Sequence, residues 1–293
     1  MIELIFSLVI IAVIASVGTD VVRMVFERYV ASRDLERGQS DVRRTLDLLA
    51  SRLQYRIKNS AIGRDGANNI VAVDNLELNT TFGTLEWVGM AYESQRGMNN
   101  QAGWTGYAVQ TDTNEINSPN SAFLSAANNI ETELAGPNPF ANNNLTVLVF
   151  AGKDGRGAYT NDQTSSWGWR ADSNLSSYHA ITPNSETNLT LTSLDANPTD
   201  FSEQYFLARS AYALWLDKAN PADPDGNLTL SYNYRPWRGE NYQNHGAHTV
   251  LLENASTFHF RESGGVLRLI LCVTAPESVA GENVEFCRER SVL

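Results

Sequence analysis

The stretch that constrains this chain most is its first eighteen residues. Met1–Gly18 has the sequence MIELIFSLVIIAVIASVG and carries a single charge, at Glu3. A helix over residues 1–19 is about 28 Å long at 1.5 Å per residue, enough to cross the hydrocarbon core of a bilayer. A carboxylate at the bilayer centre costs about 2.5–3.5 kcal/mol, so it usually has a function there. We therefore predict a transmembrane helix over residues 1–19, with Glu3 as a candidate functional residue.

The helical pattern continues beyond this apolar segment. A secretory signal peptide has a basic start and ends after a shorter core, whereas this chain has no basic start and its pattern runs on. Gly38 is the one internal weak point after the membrane segment, where the helix could kink. We predict that residues 20–60 continue the helix as an amphipathic segment that packs on the rest of the protein. The packing face repeats every three or four residues: Val42, Leu46, Leu49, Leu53 and Ile57.

Residues 61–293 have the composition of a β-rich domain. Asn, Ser, Thr and Gly are abundant and Lys is scarce, a mix that favours strands and turns. Two segments, Asp223–Asn227 and Ser263–Gly265, are typical of hairpin turns. We expect an α+β fold, in which the long N-terminal helix packs on a mainly antiparallel β-sheet. The predicted strands are Ile70–Val73, Leu85–Ala91, Tyr107–Gln110, Leu145–Phe150, Leu189–Leu194, Gln204–Leu216, Leu228–Tyr234, Thr249–Leu252, Thr257–Glu262 and Val266–Val273, and Ser121–Leu134 is a candidate short helix.

The net charge and the absence of two catalytic motifs argue against two classes of function, nucleic-acid binding and catalysis. The formal charge is −11, from 22 Lys and Arg against 33 Asp and Glu, and an acidic surface repels nucleic-acid phosphates. The chain has no G-x-S-x-G nucleophile motif and no phosphate-binding loop of the G-x-x-x-x-G-K-[ST] type. We therefore expect neither nucleic-acid binding nor enzymatic activity.

The two cysteines, Cys272 and Cys287, both lie in the C-terminal segment. In an oxidising compartment they would form one local disulfide. The alternative is two free, partly buried thiols in a cytoplasmic protein. A metal site is less well supported, because no further Cys or His ligands lie nearby.

Two short motifs resemble metal sites. Asp223, Asp225 and Asn227 alternate around a glycine as in an oxygen-ligand calcium loop, but no Glu follows at the twelfth loop position. The alternative interpretation of these three residues is a polar hairpin turn. Ca²⁺ is the only cofactor that the sequence suggests. His245 and His248 could be metal ligands or ordinary loop histidines, and no third ligand is evident.

Aromatic residues and glycosylation signals raise a second possibility. The polar loops contain Trp167, Trp169, Trp237 and Tyr242, which either form a carbohydrate platform or fold back over the core. Six Asn-x-[Ser/Thr] sequons occur, at Asn79, Asn144, Asn174, Asn188, Asn227 and Asn254. Four of them carry an acid two residues before the Asn, the extended form that bacterial glycosylation systems prefer, although such a chain can contain these by chance.

The N-terminal segment resembles that of type IV pilins and pseudopilins. The matching residues are Ile2–Ile11, IELIFSLVII. In that family a leader is cleaved, the new N-terminus is methylated, and a Glu stands at the fifth mature position. Here Glu3 is third, so the resemblance implies that the start lies too far downstream and that Met1 is the third mature residue. The C-terminal segments Val250–Phe260, Leu267–Cys272 and Phe286–Arg290 are more loosely similar to J-type minor pseudopilins and related minor pilins.

This resemblance implies a structural subunit of a type II secretion or type IV pilus machine. The helix would sit in the bacterial inner membrane, with residues 61–293 as a globular domain in the periplasm, before the subunit enters a filament. The expected partners are other pilins or pseudopilins, the membrane assembly platform and the prepilin peptidase. Glu3 would form an ion pair with the N-terminal amine of a neighbouring subunit.

The charges that follow the span conflict with a periplasmic body. Four arginines follow the span, which by the positive-inside rule places the body in the cytoplasm; they are Arg23, Arg28, Arg33 and Arg37. We give the family pattern more weight than this charge count. The rival hypothesis is a membrane-anchored glycan-binding or enzymatic domain that uses its loop tryptophans.

Overall fold

A computed structural model describes residues 2–66, 69–76, 82–96, 104–119, 121, 124–140, 143–152, 164–195, 201–220, 222–274 and 285–293. One long helix, α1 (Ile2–Leu53), leads into a β-rich body. The second half of α1 packs on that body. The predicted α+β fold, a long N-terminal helix on an antiparallel sheet, is confirmed.

In its described residues the body consists of one antiparallel sheet with two short helices. Within the described residues the helices are α2 (Tyr92–Arg96) and α3 (Leu124–Ala135), and 3₁₀ turns occur at Lys58–Ser60, Val73–Asn75 and Pro236–Arg238. The strands are β1 (Ile62–Arg64), β2 (Ile70–Ala72), β3 (Thr84–Met90), β4 (Val109–Asp112), β5 (Glu115–Asn117), β6 (Val147–Phe150), β7 (His179–Pro183), β8 (Asn188–Ser193), β9 (Tyr205–Asp217), β10 (Gly226–Tyr234), β11 (Ala247–Ser263), β12 (Val266–Thr274) and β13 (Glu285–Val292).

The long strand β9 organises this sheet. The strand order is β13-β12-β11-β10-β9-β6-β7-β8-β5-β4, and β9 also pairs with β3, which carries β1 and β2. An antiparallel bridge between Tyr107 and Gln204 brings the chain just before β4 back to the start of β9. Six strands (β9, β6, β7, β8, β5 and β4) therefore form a ring, and closing a sheet in this way removes free edges.

Three hydrophobic clusters fill the part of the body that the structure describes. The first lies between α1 and β10–β13 and includes Leu49 and Leu271. The second covers the other side of β3 and β9, around Val88 and Tyr234. The third fills the six-strand ring around Tyr205. Because strand side chains alternate between faces, Leu85 and Trp87 belong to the first cluster and Val88 to the second.

The helix ends earlier than residue 60. Its last residue is Leu53, and the Ile57 amide donates to the Val88 carbonyl at 2.9 Å, so sheet pairing captures the chain at that point. Ile57 is buried, but in the second cluster rather than on the helix face. Gly38 lies inside α1 without interrupting it.

Most predicted strands lie within one or two residues of observed ones, and both hairpin turns are present. Gly264 and Gly265 have φ of 61° and 79°, which suits a two-residue turn between β11 and β12. β11 is one strand where two were expected. It passes Asn254, whose φ is 55°, and the pairing register shifts nearby, as at a β-bulge. Four strands, β1, β5, β7 and β13, are additional to the prediction.

The buried hydroxyl of Tyr205 gives a testable pH dependence. Burial raises the pKa of Tyr205 to about 12, while the Ser118 and Ser121 hydroxyls oppose this rise. The unfolded chain loses this proton near pH 10 and the folded chain keeps it. Stability should therefore fall by about 1.4 kcal/mol per pH unit from about pH 10 towards the folded pKa. Urea unfolding at stepwise increasing pH measures how steeply the free energy of unfolding falls with pH. The same slope in Tyr205→Phe would contradict the assignment of this pH dependence to the Tyr205 hydroxyl.

Candidate assembly interface

The first half of α1 extends without a partner among the described residues. Large apolar side chains are exposed along it, among them Ile5, Phe6, Ile11 and Ile14. Glu3 is exposed at its start, and within the described residues its carboxylate makes no ion pair. By length and composition, α1 is the one helix in the described chain that could cross a membrane.

A second exposed apolar surface follows, which we call the neck stripe. It consists of five side chains on one helix face: Val21, Val22, Val25, Phe26 and Tyr29. All are at least 53% exposed. The adjacent faces are charged, and Arg23 pairs with Glu27 at 2.8 Å. The neck stripe therefore continues the apolar surface into a region that carries ionised residues.

The second half of α1 is locked on the body. Four predicted packing residues are at most 3% exposed: Val42, Leu46, Leu49 and Leu53. They pack with the apolar side chains of β10–β13 in the first cluster. Polar contacts reinforce the packing, because Thr45 Oγ1 donates to the Leu251 carbonyl at 3.3 Å and Arg290 lies 3.4 Å from Asp47.

A buried arginine holds the end of α1. The Arg56 side chain is fully buried, and its Nη1 donates to the carbonyls of Leu53 at 2.9 Å and Leu293 at 3.3 Å. Its Nη2 lies 3.7 Å from the Glu262 carboxylate. Burial lowers the pKa of Arg56, and Glu262 opposes this effect. One side chain thus joins the end of α1 to β11 and to Leu293, the residue that follows β13.

Cys272 and Cys287 form a disulfide. They lie directly opposite each other on β12 and β13, with a Cα–Cα distance of 4.1 Å. Glu285 is close to both sulfurs, but disulfide sulfurs are poor metal ligands, and Glu285 accepts bonds from Ser256 and Thr257. The disulfide fixes edge strand β13, against which α1 packs.

Removing this disulfide should destabilise β12 and β13, the strands on which α1 packs. Cys287→Ser is expected to lower the free energy of unfolding by about 3 kcal/mol, because a loop of about fifteen residues is no longer closed. Denaturant unfolding of the oxidised and reduced wild type provides an independent estimate. Ser291→Ala, an exposed change on the same strand, should cost less than about 0.5 kcal/mol. Equal stability of wild type and Cys287→Ser would contradict this role.

The candidate calcium residues are engaged by the protein itself. Asp223 Oδ2 accepts from the Asn220 amide at 2.9 Å, and Asp225 Oδ1 accepts from Thr274 Oγ1 at 2.6 Å. The Lys218 ammonium donates to the Asp223 carbonyl at 2.9 Å. Asn227 pairs within β10. This geometry is that of a polar hairpin turn between β9 and β10 rather than of three convergent ligands.

The other sequence candidates also occupy structural positions. His248 Nδ1 contacts Ser231 Oγ, whereas His245 Nδ1 accepts from the Asn241 amide, so the two rings have separate partners. The four loop aromatics are at most 8% exposed and belong to the second cluster: Trp167, Trp169, Trp237 and Tyr242. They therefore present no platform for a sugar. Asn79 lies outside the described residues.

Besides Arg56 and Glu262, two further buried ion pairs in the described part of the chain were not predicted. Glu86, on β3, is 1% exposed; it pairs with Arg64 of β1 at 2.5 Å and accepts from Tyr234 at 3.0 Å. Burial raises the pKa of Glu86, and Arg64 and Tyr234 oppose this rise. In the sequence, the only sign of this pair was one acid, Glu86, within an otherwise apolar predicted strand.

The second pair joins both short helices to the sheet. Glu131 of α3 is fully buried and contacts Ser94, Thr146 and Arg209, the last two at 2.6 and 3.2 Å. Arg209 also pairs with Glu93 of α2 at 2.6 Å. These bonds link α2, α3, β9 and the segment before β6, so we assign them to the fold rather than to chemistry.

Comparison with family models, curated proteins and solved structures found no match for this chain.

Proposed function

We propose that this protein is a structural subunit, a minor pseudopilin or minor pilin, of a type II secretion or type IV pilus machine. One observation carries the proposal: α1 is continuous, yet its first half is apolar and unpartnered while its second half is packed on the body. A body fixed to such a helix can be anchored in a membrane and later moved as one unit into a helical assembly.

The neck stripe favours a protein partner in addition to lipid. The segment that carries it also contains Asp20, Arg23, Glu27 and Arg28, and ionised side chains are costly in hydrocarbon. A purely membrane-spanning role accounts for residues 1–19 but not for apolar side chains as far as Tyr29. Packing against helices of neighbouring subunits would cover these side chains and leave the charged face in water.

Glu3 would supply the specific contact within such a bundle. The exposed carboxylate stands in an apolar surface, where a cationic partner offsets the cost of burying it. In the proposed assembly that partner is the N-terminal amine of a neighbouring subunit, and the pairing sets the axial register between helices. The proposed partners are therefore other pilins or pseudopilins, with the assembly platform and the prepilin peptidase acting beforehand.

The proposed location is the bacterial inner membrane, with the body in the periplasm. The disulfide supports this orientation, because such bonds persist in oxidising compartments. The body has a bulky sheet, which suits a low-copy tip or priming position better than a repeating shaft. The buried loop tryptophans give no support to the rival glycan-platform hypothesis at those residues.

Site-specific photo-cross-linking in cells tests the proposal. A photoreactive phenylalanine analogue at Phe26 should form adducts with a protein that carries a pilin-like apolar helix, either a second copy or another subunit. The same probe at Leu134, an exposed apolar residue of the body, is the matched control and should give much weaker adducts of this kind. Adducts to lipid alone at Phe26 would contradict the proposal.

A further inference from the structure

An aromatic cleft lies on the body, and its described lining includes neither an α1 residue nor the loop tryptophans Trp167, Trp169 and Trp237. It has a volume of about 300 Å³ and opens between α2 and the segment 104–107, beside the start of β9. Residues 97–103, which join these two walls, are outside the described part of the chain. The aromatic lining residues are Tyr92, Trp104, Tyr107, Tyr205 and Phe206.

The aromatic rings at the mouth are held in place yet partly exposed. Tyr107 is 54% exposed, and its hydroxyl accepts from Gln204 Nε2 at 3.3 Å. Tyr92 is half-buried and stacks on Tyr55, with ring centroids 4.2 Å apart. Phe206 is also half-buried. Fixed rings with an apolar face and polar neighbours suit a ligand that is apolar on one face and hydroxylated at its edge, as sugar rings are.

The charge of the cleft is opposite to that of the protein. Arg96 is exposed on its lining and has no ion-pair partner among the described residues. The described lining includes no carboxylate, although the chain has a net charge of −11. The other polar side chains are the amides of Gln95 and Gln204, which can bond to hydroxyl groups. An exposed guanidinium in the same lining as aromatic rings favours a ligand with a carboxylate.

An extended peptide fits this cleft less well than a sugar. Peptides that add to sheets need a strand edge with unpaired backbone groups. Here the Tyr205 amide donates to the Gly106 carbonyl at 2.8 Å, and the Ala108 amide donates to the Glu203 carbonyl at 2.8 Å. The backbone along the cleft is therefore already paired.

We propose that this cleft binds an acidic polysaccharide, with uronic acid rings stacked on Tyr107 and Tyr92 and their carboxylates bound by Arg96. The described lining of the cleft contains no α1 residue, so the proposed binding does not require the apolar half of α1 to be free. A ligand of this class carries an apolar ring face, hydroxyl groups and a carboxylate within a few neighbouring sugar residues.

Calorimetric titration of the full-length protein in detergent micelles tests this site. Tetragalacturonate is the probe, maltotetraose is the neutral comparison and tetraglutamate is the peptide comparison. We expect tetragalacturonate to bind more tightly than either. Tyr107→Ala should weaken its binding about tenfold, or about 1.4 kcal/mol, whereas Tyr107→Phe, which keeps the ring, should change it less than about twofold. Arg96→Gln should remove the preference over maltotetraose.

Three results would overturn the proposal. The first is no detectable tetragalacturonate binding at millimolar concentration in the wild type. The second is binding that neither Tyr107→Ala nor Arg96→Gln weakens, with circular dichroism showing both variants folded. The third is tetraglutamate binding at least as tightly as the sugar with the same dependence on both residues, which would assign the cleft to acidic peptides. Filament assembly is measured separately, so none of these three results depends on it.

Discussion

Replacing Glu3 with Leu is expected to abolish incorporation of the subunit into an assembly while leaving its membrane insertion intact. In the proposed bundle, removing the carboxylate would leave the neighbouring subunit's amine buried without a partner, and breaking a buried ion pair in this way costs about 3–5 kcal/mol. This corresponds to a loss of more than about a hundredfold in incorporation. Insertion should be unaffected or improved, because the helix loses its only charge before Asp20.

Matched variants separate this effect from a general change in the helix. Glu36 is also exposed on α1 but lies beyond the apolar segment, so Glu36→Leu should assemble like wild type. Glu3→Gln keeps the size of the side chain and removes only its charge, and it should fail as Glu3→Leu does. Sedimentation of sheared filaments, or secretion of a reporter substrate, measures incorporation. Normal assembly by both Glu3 variants would refute the pilin-like role.

Replacing Leu49 with Asp is expected to release α1 from the body. Leu49 is fully buried in the first cluster, and losing its burial costs about 1.5–3 kcal/mol. The new carboxylate would stand among apolar side chains without a cation, which adds several kcal/mol. We expect the free energy of unfolding to fall by about 5 kcal/mol, with the helix and β11–β13 losing protection together.

The adjacent residue provides the control. Leu48 has the same chemistry and the same helical backbone but is 40% exposed, so Leu48→Asp should cost less than about 1 kcal/mol. Amide hydrogen exchange of the two full-length variants identifies the segments that open. Similar exchange in Leu48→Asp and Leu49→Asp would mean that the helix does not depend on this face.

The helix and its packing face could be predicted because they depend on local periodicity. A repeat of three or four apolar residues identifies one helix face without knowledge of what covers it, and Val42, Leu46, Leu49 and Leu53 are indeed buried. The end of the helix could not be predicted in this way. It depends on the Ile57 amide finding the Val88 carbonyl, a partner that is distant in sequence.

Long-range pairing also explains what else the sequence did not reveal. β13 was not predicted because its sequence, EFCRERSV, is charged; a sheet edge tolerates and even favours such charges. The aromatic cleft combines Tyr92, Tyr107 and Phe206 from three separate segments, so no local motif marks it. Conversely, Trp167 and Trp237 stood out in polar loops yet are buried, because the loops fold over the sheet.

The most direct test of the central claim is zero-length cross-linking of Glu3. A carbodiimide joins a carboxylate to an amine only when they are in contact, so membranes or filaments containing the full-length protein can be treated and digested for mass spectrometry. We predict a cross-linked peptide that joins Glu3 of one subunit to the N-terminal amine of another, and its loss in Glu3→Gln. If Glu3 is found only in unmodified linear peptides while the subunit is demonstrably in the filament, the proposed pairing is wrong.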